Sequence, residues 1–433
     1  MARLWGTILR SVVAAMVFAL AVSARPAFAQ VKPGDFINWE NAAKVKDLIP
    51  PGAYMRVQHG MTIKVEGTEL LDWPAPYKDA TEKYSAQVRL TPDGRSMIGY
   101  VAGQPFPIID DNDPKAAQKI MWDEVFKPLA SDDYDLRWFE CDSEYWGVNK
   151  PYFPLSVTDI GHYAGYNEVG RTEVEPFPID PDFLTSGIQR SDLLYPVLAP
   201  AKSRGTGIMR HRYADPKRQD EIYNYDGSTR RLRHLAYSMA DNTSGMGGYD
   251  PNHYGGWAGK PENYDLKYLG EKSMLASVDI HSGVAGRCPT DGGASHCPEP
   301  WQMRRIWIIE AKPRYNNLFS RELVYIDTET GWPMFVDMYD RKGELYKNWT
   351  SWLNYSDRAR AESKIAIYPF KRVFVVGSSS IDVTGSASVC YHPSAEAPTP
   401  ECWFINMGAI DRTWFDPTAM ERAAMGGHAT SGD

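Results

Sequence analysis

Residues 321–355 read RELVYIDTETGWPMFVDMYDRKGELYKNWTSWLNY. The stretch contains three runs rich in aromatic and β-branched residues, which are typical of strands, at 321–326, 332–339 and 344–355. Thr330-Gly331 and Lys342-Gly343 lie between the runs, where tight turns favour glycine. Strands joined by such short turns pair with their neighbours in sequence and need no crossover helix. This stretch therefore predicts an antiparallel meander.

The same signals recur on both sides of the meander. They predict further strands at 54–65, 84–90, 96–101, 207–213, 221–225, 229–235, 268–278, 302–311 and 365–376. Residues 131–200 and 280–300 are rich in proline, glycine and aromatic residues, and we expect them to form irregular insertions. The sequence predicts a mostly β domain, of α+β type, that spans residues 30–433.

Two helices are predicted. Asn38 is a suitable N-cap for a short helix over 39–48, which Pro50-Pro51 would end. Asp113-Pro114 opens a second helix, because the aspartate accepts from free amides and the proline has no amide to leave unpaired. Its apolar face consists of Ala117, Ile120, Met121, Val125 and Leu129.

Residues 1–29 have the features of a secretory signal peptide. Arg3 and Arg10 precede an apolar run that is too short to span a bilayer, and Ala27 and Ala29 provide the small side chains of a cleavage site. We therefore expect an exported, periplasmic product that begins near Gln30 and has no stable insertion in the membrane.

The mature chain would be acidic. Removing the three arginines of residues 1–29 from 47 basic residues leaves 44 against 55 acidic ones, so the net charge falls from −8 to about −11. Nucleic acid is therefore excluded as an expected partner.

Five cysteines in an exported chain suggest two disulfides and one free thiol. Cys288 and Cys297 flank a short glycine-rich loop, and Cys390 and Cys402 flank a proline-rich one, so we expect pairing within each loop and a free Cys141. The alternative is a zinc site built from the first loop, because thiolate and imidazole are zinc ligands. Its ligands would be His281, Cys288, His296 and Cys297.

An arginine cluster on two or three neighbouring strands is the main candidate for recognition. Arg212, Arg231 and Arg233 are the residues that we expect to contact an anionic headgroup or an acidic partner, although pairing with nearby acids of the fold also explains such arginines.

The sequence contains none of the common catalytic motifs. The chain carries no nucleophile elbow, zinc-protease motif, phosphate loop or Cys-x-x-Cys pair. The sequence thus predicts no catalytic residue, no metal and no cofactor.

Six motifs, taken in order, resemble an exported family of Gram-negative bacteria, domain of unknown function 1329. They are YVAGQPFP (100–107), RYADP (212–216), RRLR (230–233), GKPENY (259–264), YID (325–327) and YDRKGELYK (339–347). The similarity runs from about residue 38 to residue 411.

The resemblance implies a relative of the periplasmic lipoprotein carriers of the Lol system, whose strongly curved antiparallel sheet forms an unclosed half-barrel under covering helices. It implies a hydrophobic small molecule or lipid as cargo, with a resistance-nodulation-division exporter and an outer-membrane protein as possible partners. Ile120, Met121 and Val125 are then candidates for a cavity lid. Two other functions stay open: a scaffold of an envelope transporter whose sheet is filled by side chains, and a hydrolase acting on an envelope substrate.

Overall fold

The structure, a computed structural model, describes most of the chain after the predicted signal peptide. The described residues are 31–128, 132–145, 153–154, 159–235, 252–253, 255–280, 287–297, 299–315, 317–391 and 397–424. Residues 1–29 lie outside them, so the predicted signal peptide stays a prediction. No helix in the described ranges is long and apolar enough to cross a membrane.

Strands dominate the described chain. They are β1 (Phe36–Ile37), β2 (Ile63–Val65), β3 (Arg89–Leu90), β4 (Met97–Ile98), β5 (Asp133–Tyr145), β6 (Phe153–Pro154), β7 (Asp159–Asn167), β8 (Ile188–Ala199), β9 (Gly207–Tyr213), β10 (Glu221–Asp226), β11 (Arg231–Leu235), β12 (Tyr264–Ala276), β13 (Glu299–Pro313), β14 (Arg321–Asp327), β15 (Pro333–Tyr339), β16 (Leu345–Ser356), β17 (Arg372–Asp382), β18 (Ser386–Tyr391) and β19 (Trp403–Ile405).

One large curved sheet runs antiparallel through two meanders. The first meander follows the order β5-β7-β8-β9-β10-β11, and the second follows β12-β13-β14-β15-β16-β17-β18. Pairing of β18 with β5 joins the two, and β19 continues along the same edge of β5. The sheet is unclosed, so the predicted mostly β fold with a strongly curved antiparallel sheet is confirmed.

The helices are short, and the first, third and fifth of them pack against strands of this sheet. They are α1 (Pro51–Gln58), α2 (Ala75–Tyr84), α3 (Ala116–Val125), α4 (Phe183–Ser186) and α5 (Pro417–Ala424). Helix α3 confirms the helix that Asp113-Pro114 was expected to open. The helix predicted over 39–48 is reduced to a single 3₁₀ turn at Ala42–Val45.

Helix α1 replaces most of the strand predicted at 54–65, of which only β2 remains. Pro51 occupies the first helical turn, where its missing amide costs nothing. Gly52, Ala53, Arg56 and Val57 are buried, which is the spacing of one helical face and not of a strand. The predicted hairpin at 84–101 is also smaller than expected, because α2 extends to Tyr84 and leaves two-residue strands.

Residues 131–200 were predicted to be an irregular insertion, and this prediction is wrong. The described part of the range supplies β5, β7 and β8, which are central to the first meander. The second predicted insertion, 280–300, is described at 280, from 287 to 297 and at 299–300, and its part from 287 to 297 is mainly a loop of turns before β13.

The cysteines agree with the prediction for one loop only. Cys288 and Cys297 are joined, which closes the loop between β12 and β13. Cys390 is bonded to Cys141 and not to Cys402, so the predicted Cys390–Cys402 pair is wrong. The physical reason is that β18 and β5 are neighbours and place Cys390 directly opposite Cys141. Cys402 is the free, buried cysteine.

Candidate functional site

An apolar cavity is lined by residues of both meanders and by the elements that cover them. Alternate residues of a strand face the same side, and on this side β5, β7, β8 and β9 contribute Tyr134, Tyr163, Leu194 and Arg212. The C-terminal end of α3 and the segment 255–258 close the space from the other side. The cavity therefore sits where a curved sheet and its covering helix meet.

The lining is mainly hydrophobic. Its apolar side chains are Val125, Leu136, Phe139, Leu194, Trp257, Trp332, Val375 and Trp403. The cavity volume is about 80 Å³, which is room for several water molecules at about 10–15 Å³ each.

Charged groups are set into the apolar wall on β8 and β9. Asp192 is 3% exposed and accepts from Arg210 Nη2 at 2.6 Å and from Arg210 Nε at 3.1 Å. The Tyr134 hydroxyl donates to the other carboxylate oxygen of Asp192 at 3.0 Å. Arg190 Nε lies 3.3 Å from Asp192 Oδ2. A single carboxylate thus faces two guanidinium groups.

Protonation of this cluster follows from its geometry. Burial opposes ionisation of Asp192, but Arg190 and Arg210 outweigh burial and hold the pKa of the carboxyl well below its usual range. Burial together with the charge of Asp192 raises the pKa of the Tyr163 hydroxyl to about 12. At neutral pH the cluster therefore contains an ionised Asp192, two cationic arginines and neutral tyrosines.

A second buried pair lies at the end of α3. Lys127 Nζ donates to Glu124 Oε1 at 2.5 Å and to the Glu124 carbonyl at 3.0 Å. Burial lowers the pKa of Lys127, the Glu124 carboxylate opposes this, and the charge of Arg190 lowers it further. Arg190 and Lys127 both line the cavity, and their like charges oppose each other.

The structure separates the three predicted recognition arginines. Arg212 lines the cavity, is 2% exposed, and donates to Asp220 Oδ2 at 3.2 Å and to the Ala258 carbonyl at 2.5 Å. Arg231 and Arg233 lie exposed on β11. A single ligand contact for all three does not fit this placement, because only Arg212 belongs to the cavity wall.

The predicted lid residues lie on the covering helix. Val125 lines the cavity, whereas Ile120 and Met121 are completely buried and pack in a hydrophobic cluster with Leu194 and Trp257. Helix α3 thus covers the sheet through all three residues, and a movement of α3 as a lid stays a prediction.

The sequence signals do not single out Arg190 and Asp192, because they predict an irregular insertion over 131–200. The available signal was the alternation along residues 190–194, where Arg190, Asp192 and Leu194 share the cavity face. A strand over residues 190–194 places these two charged residues on one face.

The alternatives of zinc binding and hydrolysis find little support at this site. Cys288 and Cys297 are oxidised to a disulfide and cannot act as thiolate ligands, and His281 lies outside the described residues. Within the described ranges, no group of three or more His, Cys, Asp and Glu side chains is arranged to hold a metal ion. Ser191 Oγ lies 2.7 Å from His211 Nδ1, but this pair is on the opposite face of β8 and β9 from Asp192.

Sequence comparison then identifies the family. The profile of the family described as protein of unknown function (DUF1329) matches residues 36–399. The chain belongs to the DUF1329 family. The uncharacterized protein PA3922 of Pseudomonas aeruginosa is 20% identical over 348 residues, which cover 74% of this chain and 69% of that protein.

Solved structures with related topology include another member of the DUF1329 family, from Desulfovibrio piger. It is 15% identical, covers 71% of this chain and 100% of its own, and has a TM-score of 0.44. An outer membrane lipoprotein-sorting protein domain from Vibrio parahaemolyticus is 14% identical with a TM-score of 0.45, and covers 70% of this chain and 97% of its own. The LolA superfamily protein NE2245 from Nitrosomonas europaea is 12% identical with a TM-score of 0.36, and covers 64% and 90%.

Proposed function

We propose that this DUF1329 protein is a periplasmic carrier or binding protein that takes up a lipid or another hydrophobic molecule in the cavity beneath α3. The observation that carries the proposal is an unfilled apolar cavity between the curved sheet and its covering helix. Ligand sites in proteins are typically concave and mostly apolar, with a few well-placed polar groups. The two disulfides suit an exported protein.

The cavity also accounts for affinity without a cofactor. Each methylene that leaves water for an apolar site contributes about 0.8 kcal/mol. A few methylenes therefore give useful binding, and widening of the cavity by movement of α3 would admit a longer chain.

We expect the protein to work with an envelope export system, for which a resistance-nodulation-division exporter and an outer-membrane protein are candidate partners.

Native mass spectrometry and lipid extraction of the purified protein test the proposal. We expect a bound hydrophobic molecule, or saturable binding of a fluorescent fatty-acid probe to protein that has been stripped of lipid. Protein that never carries or binds a hydrophobic molecule would overturn the proposal.

A pair of tryptophan variants tests whether the ligand binds in the cavity. Val375→Trp adds an indole to the cavity wall, whereas Val383→Trp adds one at a position that is 47% exposed. We expect the first variant to lose probe binding and the second to keep it. Equal binding by both folded variants would place the ligand elsewhere.

The same measurements separate the alternatives. A scaffold would bind no hydrophobic probe and would be unaffected by Val375→Trp, whereas a hydrolase would turn over an ester probe. Disruption of the Ser191–His211 pair by His211→Gln tests hydrolysis, because a nucleophilic serine needs its neighbouring base.

A further inference from the structure

Arg190 is the least satisfied buried charge in the cavity wall. It is 7% exposed, it lines the cavity, and its Nε makes no hydrogen bond among the residues that the structure describes. Its ion-pair partner is Asp192, at 3.3 Å from Nε. A guanidinium has five N–H donors, and a buried one that lacks acceptors is costly.

The carboxylate beside Arg190 is already occupied. Asp192 accepts two bonds from Arg210 on one oxygen and one from the Tyr134 hydroxyl on the other. The pairs around it are balanced, because Arg212 is matched by Asp220 and Lys127 by Glu124. Arg190 therefore leaves the cavity with one unmatched positive charge.

The surroundings of that charge are apolar. Leu194 follows Arg190 and Asp192 on the same face of β8, and Trp257 and Trp332 also line the space. A ligand that satisfies both features has one anionic group on an apolar chain. The planar fork of an arginine suits a carboxylate, because two parallel N–H groups can donate to its two oxygens.

We propose that the cavity binds a hydrophobic carboxylate, such as a fatty acid, whose head group is held by the Arg190 guanidinium while its chain occupies the apolar part of the cavity. The inference rests on the proposed function and specifies the ligand class of that cavity. It also gives Arg190 a role distinct from that of Arg210, which completes the ion pair of the fold.

The arrangement predicts that Arg190 can be replaced without loss of the fold. Removing it leaves Asp192 with Arg210 and Tyr134, so no buried carboxylate becomes unpaired. Arg190→Met retains an unbranched apolar side chain at the position, and Arg190→Lys retains the charge but not the fork. Arg305→Met is the matched control, because Arg305 is an exposed arginine paired with Glu271.

The experiment measures calorimetric binding of dodecanoate and of 1-dodecanol to lipid-stripped protein. We expect wild type and Arg305→Met to prefer dodecanoate, Arg190→Met to lose at least tenfold in dodecanoate affinity while it keeps its dodecanol affinity, and Arg190→Lys to fall between them. A melting temperature near that of wild type is expected for all three variants.

Other outcomes separate failure of the carboxylate proposal from failure of the proposed function. Equal affinity of wild type for both probes, or an unchanged preference in Arg190→Met, overturns the carboxylate proposal but leaves hydrophobic binding intact. Absence of binding for both probes overturns the proposed function itself. If Arg190→Met fails to fold, Arg190→Lys gives a second measurement of the same preference, and an unchanged preference for dodecanoate in folded Arg190→Lys overturns the carboxylate proposal.

Discussion

Cys141 and Cys390 lie directly opposite each other on β5 and β18, and a disulfide joins them across 249 residues of sequence. This is the position where the two meanders meet, because β5 begins the first and β18 ends the second. The bond therefore links the first and last major strands of the sheet at the junction on which its continuity depends.

Loss of this bond should destabilise the protein more than loss of the other disulfide. The chain-entropy relation gives about 5.5 kcal/mol for the 249-residue separation of Cys141 and Cys390 and about 2.6 kcal/mol for the 9-residue separation of Cys288 and Cys297. Denaturant unfolding of Cys390→Ser and Cys297→Ser variants checks the order. A larger loss in Cys297→Ser would contradict it.

Cys402 should be the single thiol, and an unreactive one. Its side chain is buried, and burial raises the pKa of the thiol to about 12, so little reactive thiolate forms at neutral pH. We expect maleimide labelling of one cysteine after unfolding without reductant, and little labelling of the folded protein. Peptide mapping of Cys402→Ala should still show Cys141 joined to Cys390. A bond between Cys390 and Cys402 in wild type would contradict the structure.

The second meander was predictable because its turns are marked in the sequence. Glycine-containing turns separate β14, β15 and β16, and the predicted bounds 321–326, 332–339 and 344–355 agree with these strands to within one residue at each end. In the first meander, β9, β10 and β11 were predicted, whereas β5, β7 and β8 were not. On β8, Arg190 and Asp192 stand where the pattern of a buried strand requires apolar residues.

The disulfide pairing and the cavity could not be read from the sequence for a related reason. Both depend on contacts between residues far apart in the chain, such as β5 with β18 and α3 with β12. The short loop between Cys288 and Cys297 is a local feature, and its pairing was predicted.

Gly52 should not tolerate a methyl group, although it lies in a helix. A Cβ at this position would lie 2.3 Å from Asp337 Oδ1 and 2.4 Å from Asn348 Cβ, so α1 would have to move away from β15 and β16. Alanine improves helix propensity by about 1 kcal/mol, but overpacking typically costs about 1–3 kcal/mol or more. We expect net destabilisation of Gly52→Ala in chemical unfolding. Gln58→Ala at an exposed position of α1 is the control, and equal stability of the two variants would contradict the close contact.

Asp337 should make stability depend on pH. Burial raises the pKa of this carboxyl to about 6, while hydrogen bonds from Asn348 and Gly52 oppose the shift. The folded state therefore binds the proton more readily than the unfolded state, and the contribution of Asp337 to stability increases as pH falls from about 7 through 6 toward 4. One pKa unit corresponds to about 1.4 kcal/mol.

The test compares wild type with Asp337→Asn. Wild type should gain about 1 kcal/mol relative to the variant between pH 7 and pH 5, measured by denaturant unfolding at each pH. A difference that is constant with pH would show that Asp337 titrates near its ordinary value.

Residue 165 must be glycine because the ring of Tyr134, which forms part of the cavity wall, packs directly against its Cα. A Cβ at residue 165 would lie 2.3 Å from two carbon atoms of that ring. Gly165→Ala should therefore displace the ring, break the bond from the Tyr134 hydroxyl to Asp192, and destabilise the protein by about 1–3 kcal/mol. Tyr134→Phe, which loses the hydroxyl but keeps the ring, should cost about 1 kcal/mol.

A double-mutant cycle separates this contact from a general intolerance of the strand. In a Tyr134→Ala background the space beside Gly165 is free, and alanine is preferred over glycine in strands by about 0.5–1 kcal/mol. Gly165→Ala should then be neutral or slightly stabilising, so the two substitutions should be strongly non-additive in chemical unfolding. Additive effects would mean that the ring of Tyr134 does not limit the side chain at residue 165, and that the cavity wall differs from the one described.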